Sequence, residues 1–193
     1  HRGAVDADGK TGDGAGIHLE IPKDFFIEKI QVTGHHHDNS EICVGMIFLP
    51  RNNYETQERS RTLVETELTK SNFSIYGWRQ VPVNTRVLGD KANLTRPEIT
   101  QVLFKPSDKS LTGKNLERKI YESRRKIEKE AIKNNIEGFY ICSLSSKSII
   151  YKGMFLAEAI SDFYLDLKDK RFVSRFVIFH QRFSTNTAPS WDL

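Results

Sequence analysis

Three segments of the chain combine residue types that could do chemistry. The most distinctive is residues 180–187, His-Gln-Arg-Phe-Ser-Thr-Asn-Thr, followed by Pro189-Ser190-Trp191. Arg182 would stand at the end of an apolar strand, where its planar guanidinium could pair with a carboxylate. Hydroxyl and amide side chains at 184–187 add hydrogen-bonding groups. Taken alone, this pattern allows two interpretations: an amino-acid-binding site, or a surface ion pair followed by a turn.

Two other segments are unusual for a purely structural chain. Residues 1–4 (His-Arg-Gly-Ala) precede a glycine-rich stretch at 11–16 (Thr-Gly-Asp-Gly-Ala-Gly), and residues 151–154 read Tyr-Lys-Gly-Met. Glycine adopts positive φ and lets backbones approach closely, so the glycine-rich stretch predicts tight turns. It lacks the Gly-Lys-Ser/Thr ending of a phosphate-binding P-loop, and we interpret it as a turn that supports an active-site wall.

The hydrophobic pattern predicts the elements that would position these segments. Strands are expected at 17–21, 42–49, 73–83, 99–105, 139–144, 148–152 and 172–179. Helices are expected from Pro22 onward and at 56–70, 115–134 and 157–164, with turns at 95–97 and, as a hairpin, at 145–147. Because antiparallel pairs alternate with helices without a strict βαβ rhythm, the expected fold class is α+β.

Composition narrows the possible functions. The 193 residues suggest one domain, and the net charge of +4 comes with alternating signs at 118–133, which predicts a solvated helix face rather than a nucleic-acid surface. No apolar run approaches the roughly 20 residues that span a membrane. Cys43 and Cys142 each lie in an apolar run, which predicts buried free thiols and a cytoplasmic protein. Residues 35–38 (His-His-His-Asp) predict an exposed loop rather than a metal site.

Together, in order and spacing, these motifs resemble the class II glutamine amidotransferase domain of glutamate synthase large subunits. The resemblance rests on residues 1–4 with 11–16, on 76–83 (Tyr-Gly-Trp-Arg-Gln-Val-Pro-Val), on 151–154 and on 182–191, and it covers essentially the whole chain. It implies the N-terminal-nucleophile (Ntn) hydrolase fold, a four-layer αββα sandwich, expected here to be incomplete at both ends. Residues 1–193 would then form part of one amidotransferase domain.

The resemblance also implies a reaction, the hydrolysis of L-glutamine to glutamate and ammonia for L-glutamate biosynthesis. In the family an N-terminal cysteine attacks the side-chain amide, and its α-amino group, with a pKa of about 7.7–8.0, acts as the base. By position in the motifs, Arg182 would pair with the α-carboxylate of glutamine, and Phe183 and Thr185 would line the same pocket. Arg2 and Gly3 would pack beside the nucleophile.

Several parts of that site fall outside this sequence. The nucleophilic cysteine is expected upstream of His1, and the Asn-Gly pair that binds the oxyanion is expected beyond Leu193. Without a nucleophile, the chain alone is expected to lack glutaminase activity. The resemblance places FMN and an iron–sulfur cluster in downstream domains, so neither cofactor nor metal is expected here. The implied partners are L-glutamine, the rest of the large subunit and the small subunit, without nucleic acid or membrane.

Other interpretations remain open from the sequence. The chain could be a non-catalytic remnant that folds poorly, or a module that still binds glutamine through Arg182. It could also belong to another class II enzyme, such as a phosphoribosyl-amine or glucosamine-phosphate amidotransferase. The insert between the first and third motifs is typical of the glutamate synthase version, which favours that version over the other enzymes.

Overall fold

Two antiparallel sheets form the centre of the molecule in the computed structural model, which describes residues 5–181 and 189–192. The first sheet has three strands, in the order β6 (Ser148–Gly153), β1 (Ala15–Glu20) and β7 (Val177–His180). The second has four strands, in the order β3 (Phe73–Gln80), β4 (Glu98–Pro106), β2 (Cys43–Leu49) and β5 (Tyr140–Ser145).

Five α-helices connect the strands of the described chain. They are α1 (Lys23–Val32), α2 (Tyr54–Lys70), α3 (Asp90–Thr95), α4 (Gly113–Lys133) and α5 (Ile160–Phe163). Short 3-10 turns occupy Thr85–Val87, Ala157–Ala159 and Leu165–Lys168. The expected combination of two antiparallel sheets with helices is therefore present.

Strand β2 shows how the layers are built, because all seven of its residues are buried. Val44, Met46 and Phe48 pack into the core between the two sheets, whereas Cys43 and Ile47 pack into a second core under α2 and α4. Successive side chains of a strand point to opposite faces, so a strand covered on both sides reads as a continuous apolar run. The order of layers is helices, four-stranded sheet, three-stranded sheet.

The expected hairpin at 145–147 is wrong. The chain does turn there, but β5 belongs to the four-stranded sheet and β6 to the three-stranded one. Glu117 of α4 fixes this corner, since its carboxylate accepts hydrogen bonds from Ser145 Oγ (2.9 Å), from the Ser146 backbone N–H (2.7 Å) and from Ser146 Oγ (2.6 Å). A buried polar corner thus carries the chain from one sheet to the other, which spacing alone cannot distinguish from a hairpin.

The last strand is shorter than the expected 172–179. Phe172 turns into the core instead of extending the sheet, with its ring centre 5.0 Å from that of Phe25 and 5.6 Å from that of Tyr151. The backbone N–H of Phe172 closes a turn onto the Asp169 carbonyl at 2.9 Å. Strand β7 therefore begins only at Val177.

A β-bulge at Gly77 determines which residues of β3 face the second sheet. The register between β3 and β4 shifts between Ile75 and Gly77, and Gly77 has a φ of +145°, which glycine tolerates best. The extra residue reverses the alternation, so Trp78 packs toward the helices and Arg79 faces the space between the sheets.

Candidate functional site

Strand pairing brings three of the sequence motifs together at Gly16. On β1, Gly16 lies opposite Lys152 of β6 on one side and opposite His180 of β7 on the other. The glycine-rich stretch, the Tyr-Lys-Gly-Met segment and the start of the His-Gln-Arg segment are therefore neighbours in one sheet. This arrangement requires glycine, because a Cβ at position 16 would lie 2.5 Å from His180 Nε2 and 2.9 Å from Lys152 Cβ.

A cavity of about 710 Å³ opens beside this meeting point. We call it the β1–β7 cavity; its lining includes Val5, Gly16, Glu158, His180 and Gln181. Val5 directly follows the His-Arg-Gly-Ala segment, and Gln181 directly precedes Arg182. The two segments expected to bind and process substrate thus connect to the same cavity, although they are far apart in sequence.

The predicted site residues themselves lie outside the described residues. These are Arg2, Gly3, Arg182, Phe183 and Thr185. The structure therefore describes the walls and the flanking positions of the expected site, and the roles of these five side chains remain predictions.

The loop that leads from Val5 into β1 is held by a bridge, hydrogen bonds and an ion pair. Val5 and Gly12 form an antiparallel bridge, and the Asp8 carboxylate accepts hydrogen bonds from Thr11 Oγ1 (2.5 Å) and the Thr11 backbone N–H (2.7 Å). These hydrogen bonds stabilise the ionised carboxylate and lower the pKa of Asp8 to about 2. Lys91 of α3 adds an ion pair to Asp6 at 3.0 Å. Gly16, at the end of the glycine-rich stretch, lines the cavity, and the support of an active-site wall by this stretch stays a prediction.

Lys152 is an unusual side chain in this region because only 6% of its surface is exposed. Its Nζ donates to Tyr140 Oη at 3.2 Å and lies 4.3 Å from the centre of that ring. Burial disfavours the ammonium form and lowers the pKa of Lys152. The Lys152 carbonyl accepts a hydrogen bond from Tyr164 Oη at 2.7 Å, which fixes the end of β6 next to Gly16.

A buried polar network joins the two sheets. Arg79 donates from Nη1 and Nη2 to the two carboxylate oxygens of Asp166, both at 2.8 Å, and also to Gln101 Oε1 at 2.6 Å. Tyr151 donates to Asp166 at 3.0 Å and accepts from Gln101 Nε2 at 3.1 Å. Burial opposes the charge of Arg79, but the hydrogen bonds and charge of Asp166 outweigh it and raise the pKa of Arg79.

The sequence predicts Arg79 and Tyr151 only as parts of motifs and does not predict this network. Two residues in the sequence did indicate a buried polar contact. Gln101 interrupts the apolar run of β4, and Arg79 is the charged residue of a partly apolar strand. A polar residue inside a buried strand needs a partner. The partner of Arg79, however, is Asp166, which lies in a 3-10 turn whose position no local pattern predicts.

Both cysteines are buried free thiols, as expected. Burial raises the pKa of the Cys142 thiol to about 12 and that of Cys43 well above its usual range. A nucleophilic cysteine needs a depressed pKa and access to substrate. Neither described cysteine has these properties.

The remaining candidate segments form ordinary surface structure. In the loop of residues 35–38, the Asp38 carboxylate pairs with Lys105 at 2.8 Å and Lys109 at 3.1 Å. On α4, Arg118 pairs with Glu122 at 3.0 Å, one of several ion pairs along that helix. No described residues form a cluster suited to a metal ion, and no described helix is long and apolar enough to cross a membrane.

Comparison with known proteins identifies the class. The family model of class II glutamine amidotransferases matches residues 1–193, and the chain belongs to this family. It is 53% identical to the glutamate synthase (NADPH) large chain of Azospirillum brasilense. It is 42% identical to the ferredoxin-dependent glutamate synthase of Pyropia yezoensis and 40% identical to ferredoxin-dependent glutamate synthase 1 of Arabidopsis thaliana.

These alignments cover 100% of the chain but only 13%, 12% and 12% of the three relatives. The chain thus spans about an eighth of the length of the relatives it matches. The expected resemblance to glutamate synthase large subunits is confirmed.

Proposed function

We propose that this chain contributes part of the glutamine-hydrolysing site of a glutamate synthase, and that it binds L-glutamine in the β1–β7 cavity. Arg182 would bind the α-carboxylate, Phe183 and Thr185 would line the pocket, and Arg2 with Gly3 would pack beside the nucleophile. The observation that carries the proposal is that two family motifs meet at Gly16 beside His180, two residues before Arg182, next to a cavity that Val5 and Gln181 both line.

The chemistry divides between this chain and groups outside it. The chain would orient glutamine by its carboxylate, because an arginine fork matches a carboxylate in geometry and charge. A cysteine with a free α-amino group would attack the amide, release ammonia and leave a thioester for water to hydrolyse. Neither Cys43 nor Cys142 can take that role, since both are buried and have raised pKa values. The chain by itself would therefore bind glutamine without cleaving it.

The proposed fold is the four-layer αββα Ntn-hydrolase sandwich, formed by residues 1–193 together with flanking segments. Its support is the helix–sheet–sheet order of the described layers and the family membership. The FMN and iron–sulfur cluster would belong to other domains. The remaining parts of the large subunit, and the small subunit, are proposed partners, in the cytoplasm.

Calorimetric titration of the purified chain with L-glutamine tests the proposal. We expect saturable binding that Arg182→Gln weakens at least about tenfold, the loss of one charge-assisted hydrogen-bonded contact. Arg175→Gln is the matched control, because Arg175 pairs with Glu20 on the surface and should leave the affinity unchanged. Equal affinities of the wild type and the Arg182 variant would refute the assigned role.

A further inference from the structure

A second cavity has a lining separate from that of the proposed glutamine site. It has a volume of about 510 Å³ and shares no lining residue with the β1–β7 cavity. We call it the α3 cavity, since residues of α3 and of the segment that follows it form one side. Its apolar wall comes from Phe48, Tyr140, Met154 and Trp191. Aromatic and thioether walls of this kind suit the flat apolar part of a small ligand.

The polar side of the α3 cavity is basic. Arg51, Lys91 and Arg96 line it, and Asp192 is the acidic residue of the described lining. Lys91 Nζ already forms an ion pair with Asp6 Oδ2 at 3.0 Å. Arg51 donates from Nη1 to the Asn93 carbonyl at 2.9 Å and from Nη2 to the Leu94 carbonyl at 3.3 Å. These contacts orient the Arg51 guanidinium, and no carboxylate pairs with it among the described residues.

The guanidinium donors of Arg96 have fewer hydrogen-bond partners than those of Arg51. Its Nη1 donates to the Pro97 carbonyl at 3.3 Å, and its Nε is a buried donor without a partner among residues 5–181 and 189–192. Burial, and then the nearby charge of Arg51, lower the pKa of Arg96, and Glu98 opposes this effect more weakly. Two guanidinium groups of like charge thus line the same cavity, and a bound anion would stabilise both.

We propose that the α3 cavity binds a small organic acid, with its carboxylate between Arg51 and Arg96 and its apolar body against Met154 and Trp191. A carboxylate matches the planar donor fork of arginine, and the apolar wall suits an apolar ligand body. The proposal does not depend on the proposed function, because no residue of the β1–β7 cavity takes part.

Methyl NMR of the purified chain with carbon-13-labelled methionine offers a direct test, because the chain contains two methionines. Met154 is 3% exposed and lines the cavity, whereas Met46 is 0% exposed and is not part of the lining. The probes are 2-naphthoate and its neutral analogue 2-naphthamide. We expect 2-naphthoate to shift the Met154 resonance saturably and to leave Met46 in place, and 2-naphthamide to bind at least about tenfold more weakly.

Arg96→Gln should weaken 2-naphthoate binding at least about tenfold, whereas Arg86→Gln should not, since Arg86 is exposed outside the cavity. An unshifted Met46 resonance in the Arg96 variant reports that the fold is retained. Absence of a saturable Met154 shift in the wild type, equal affinity for the two probes, or an unchanged affinity in the Arg96 variant would each overturn the proposal.

Discussion

Arg79 and Asp166 form a bidentate ion pair between the two sheets, with both nitrogen–oxygen distances at 2.8 Å and only 3% of the Asp166 side chain exposed. The pair connects the bulged strand β3 of one sheet, through Tyr151, to β6 of the other. It is therefore the polar counterpart of the apolar core that holds the sheets together.

Asp166→Asn should destabilise the chain by about 3–5 kcal/mol, because it leaves the buried guanidinium of Arg79 without a counter-charge. Urea denaturation measures this loss. Asp162→Asn is the control, since Asp162 pairs with Lys168 on the surface and should change stability by less than about 1 kcal/mol. Equal effects of the two substitutions would show that the network does not stabilise the sheet packing.

A wild-type chain that shows no cooperative unfolding transition in the same experiment would support the interpretation of the chain as a poorly folded remnant.

Much of this architecture could be predicted from the sequence, and β2 and α4 show why. An apolar run of strand length and a helical repeat of Leu116, Ile120 and Ile127 depend only on local periodicity, and both elements were confirmed. The sheet to which β6 belongs could not be predicted, because β5 and β6 are close in sequence and pair elsewhere. Long-range choices of this kind depend on the whole core rather than on any one turn.

The candidate site was likewise predicted only in part. The motifs predicted which segments matter, and strand pairing then placed Gly16, Lys152 and His180 side by side. The network of Arg79 and Asp166 was missed because its members come from three separate elements and a 3-10 turn. Its orientation also depends on one inserted residue at Gly77, which a period-two pattern does not show.

Gly16→Ala should destabilise the chain by about 1–3 kcal/mol, because the added methyl group would overlap His180 Nε2 and Lys152 Cβ. Combining it with His180→Ala should recover part of the loss, since the closest clashing atom is then gone. Thermal unfolding of the wild type, the two single variants and the double variant gives the coupling. Purely additive effects would contradict the close approach of β1 and β7 at this position.

The buried Cys142 thiol predicts a loss of stability at alkaline pH. Its pKa is raised from 9.0 to about 12, so above pH 9 the unfolded chain loses this proton while the folded chain keeps it. The unfolded state then binds fewer protons, and the free energy of unfolding falls as pH rises. From about pH 8 to about pH 10, the wild type should lose about 1.4 kcal/mol more than Cys142→Ala.

Denaturant unfolding at both pH values measures that difference, and the cavity left by Cys142→Ala only adds an offset that does not depend on pH. If the free energy of unfolding changes equally with pH in the two proteins, the thiol ionises equally in the folded and unfolded states. That result would contradict the effect expected from the burial of Cys142.

The purified chain should release no ammonia from L-glutamine above the reagent blank, because neither of its cysteines is accessible or easily ionised. A coupled ammonia assay, with an active glutamate synthase as the positive control, measures this. Turnover by the chain itself would mean that another group supplies the nucleophile.

A crystal structure of the chain with bound L-glutamine tests the central claim most directly. We predict that the ligand occupies the β1–β7 cavity between Gly16 and Gln181, with its α-carboxylate hydrogen-bonded to the Arg182 guanidinium. Glutamine bound elsewhere on the chain, or an Arg182 side chain directed away from an occupied β1–β7 cavity, would contradict the account.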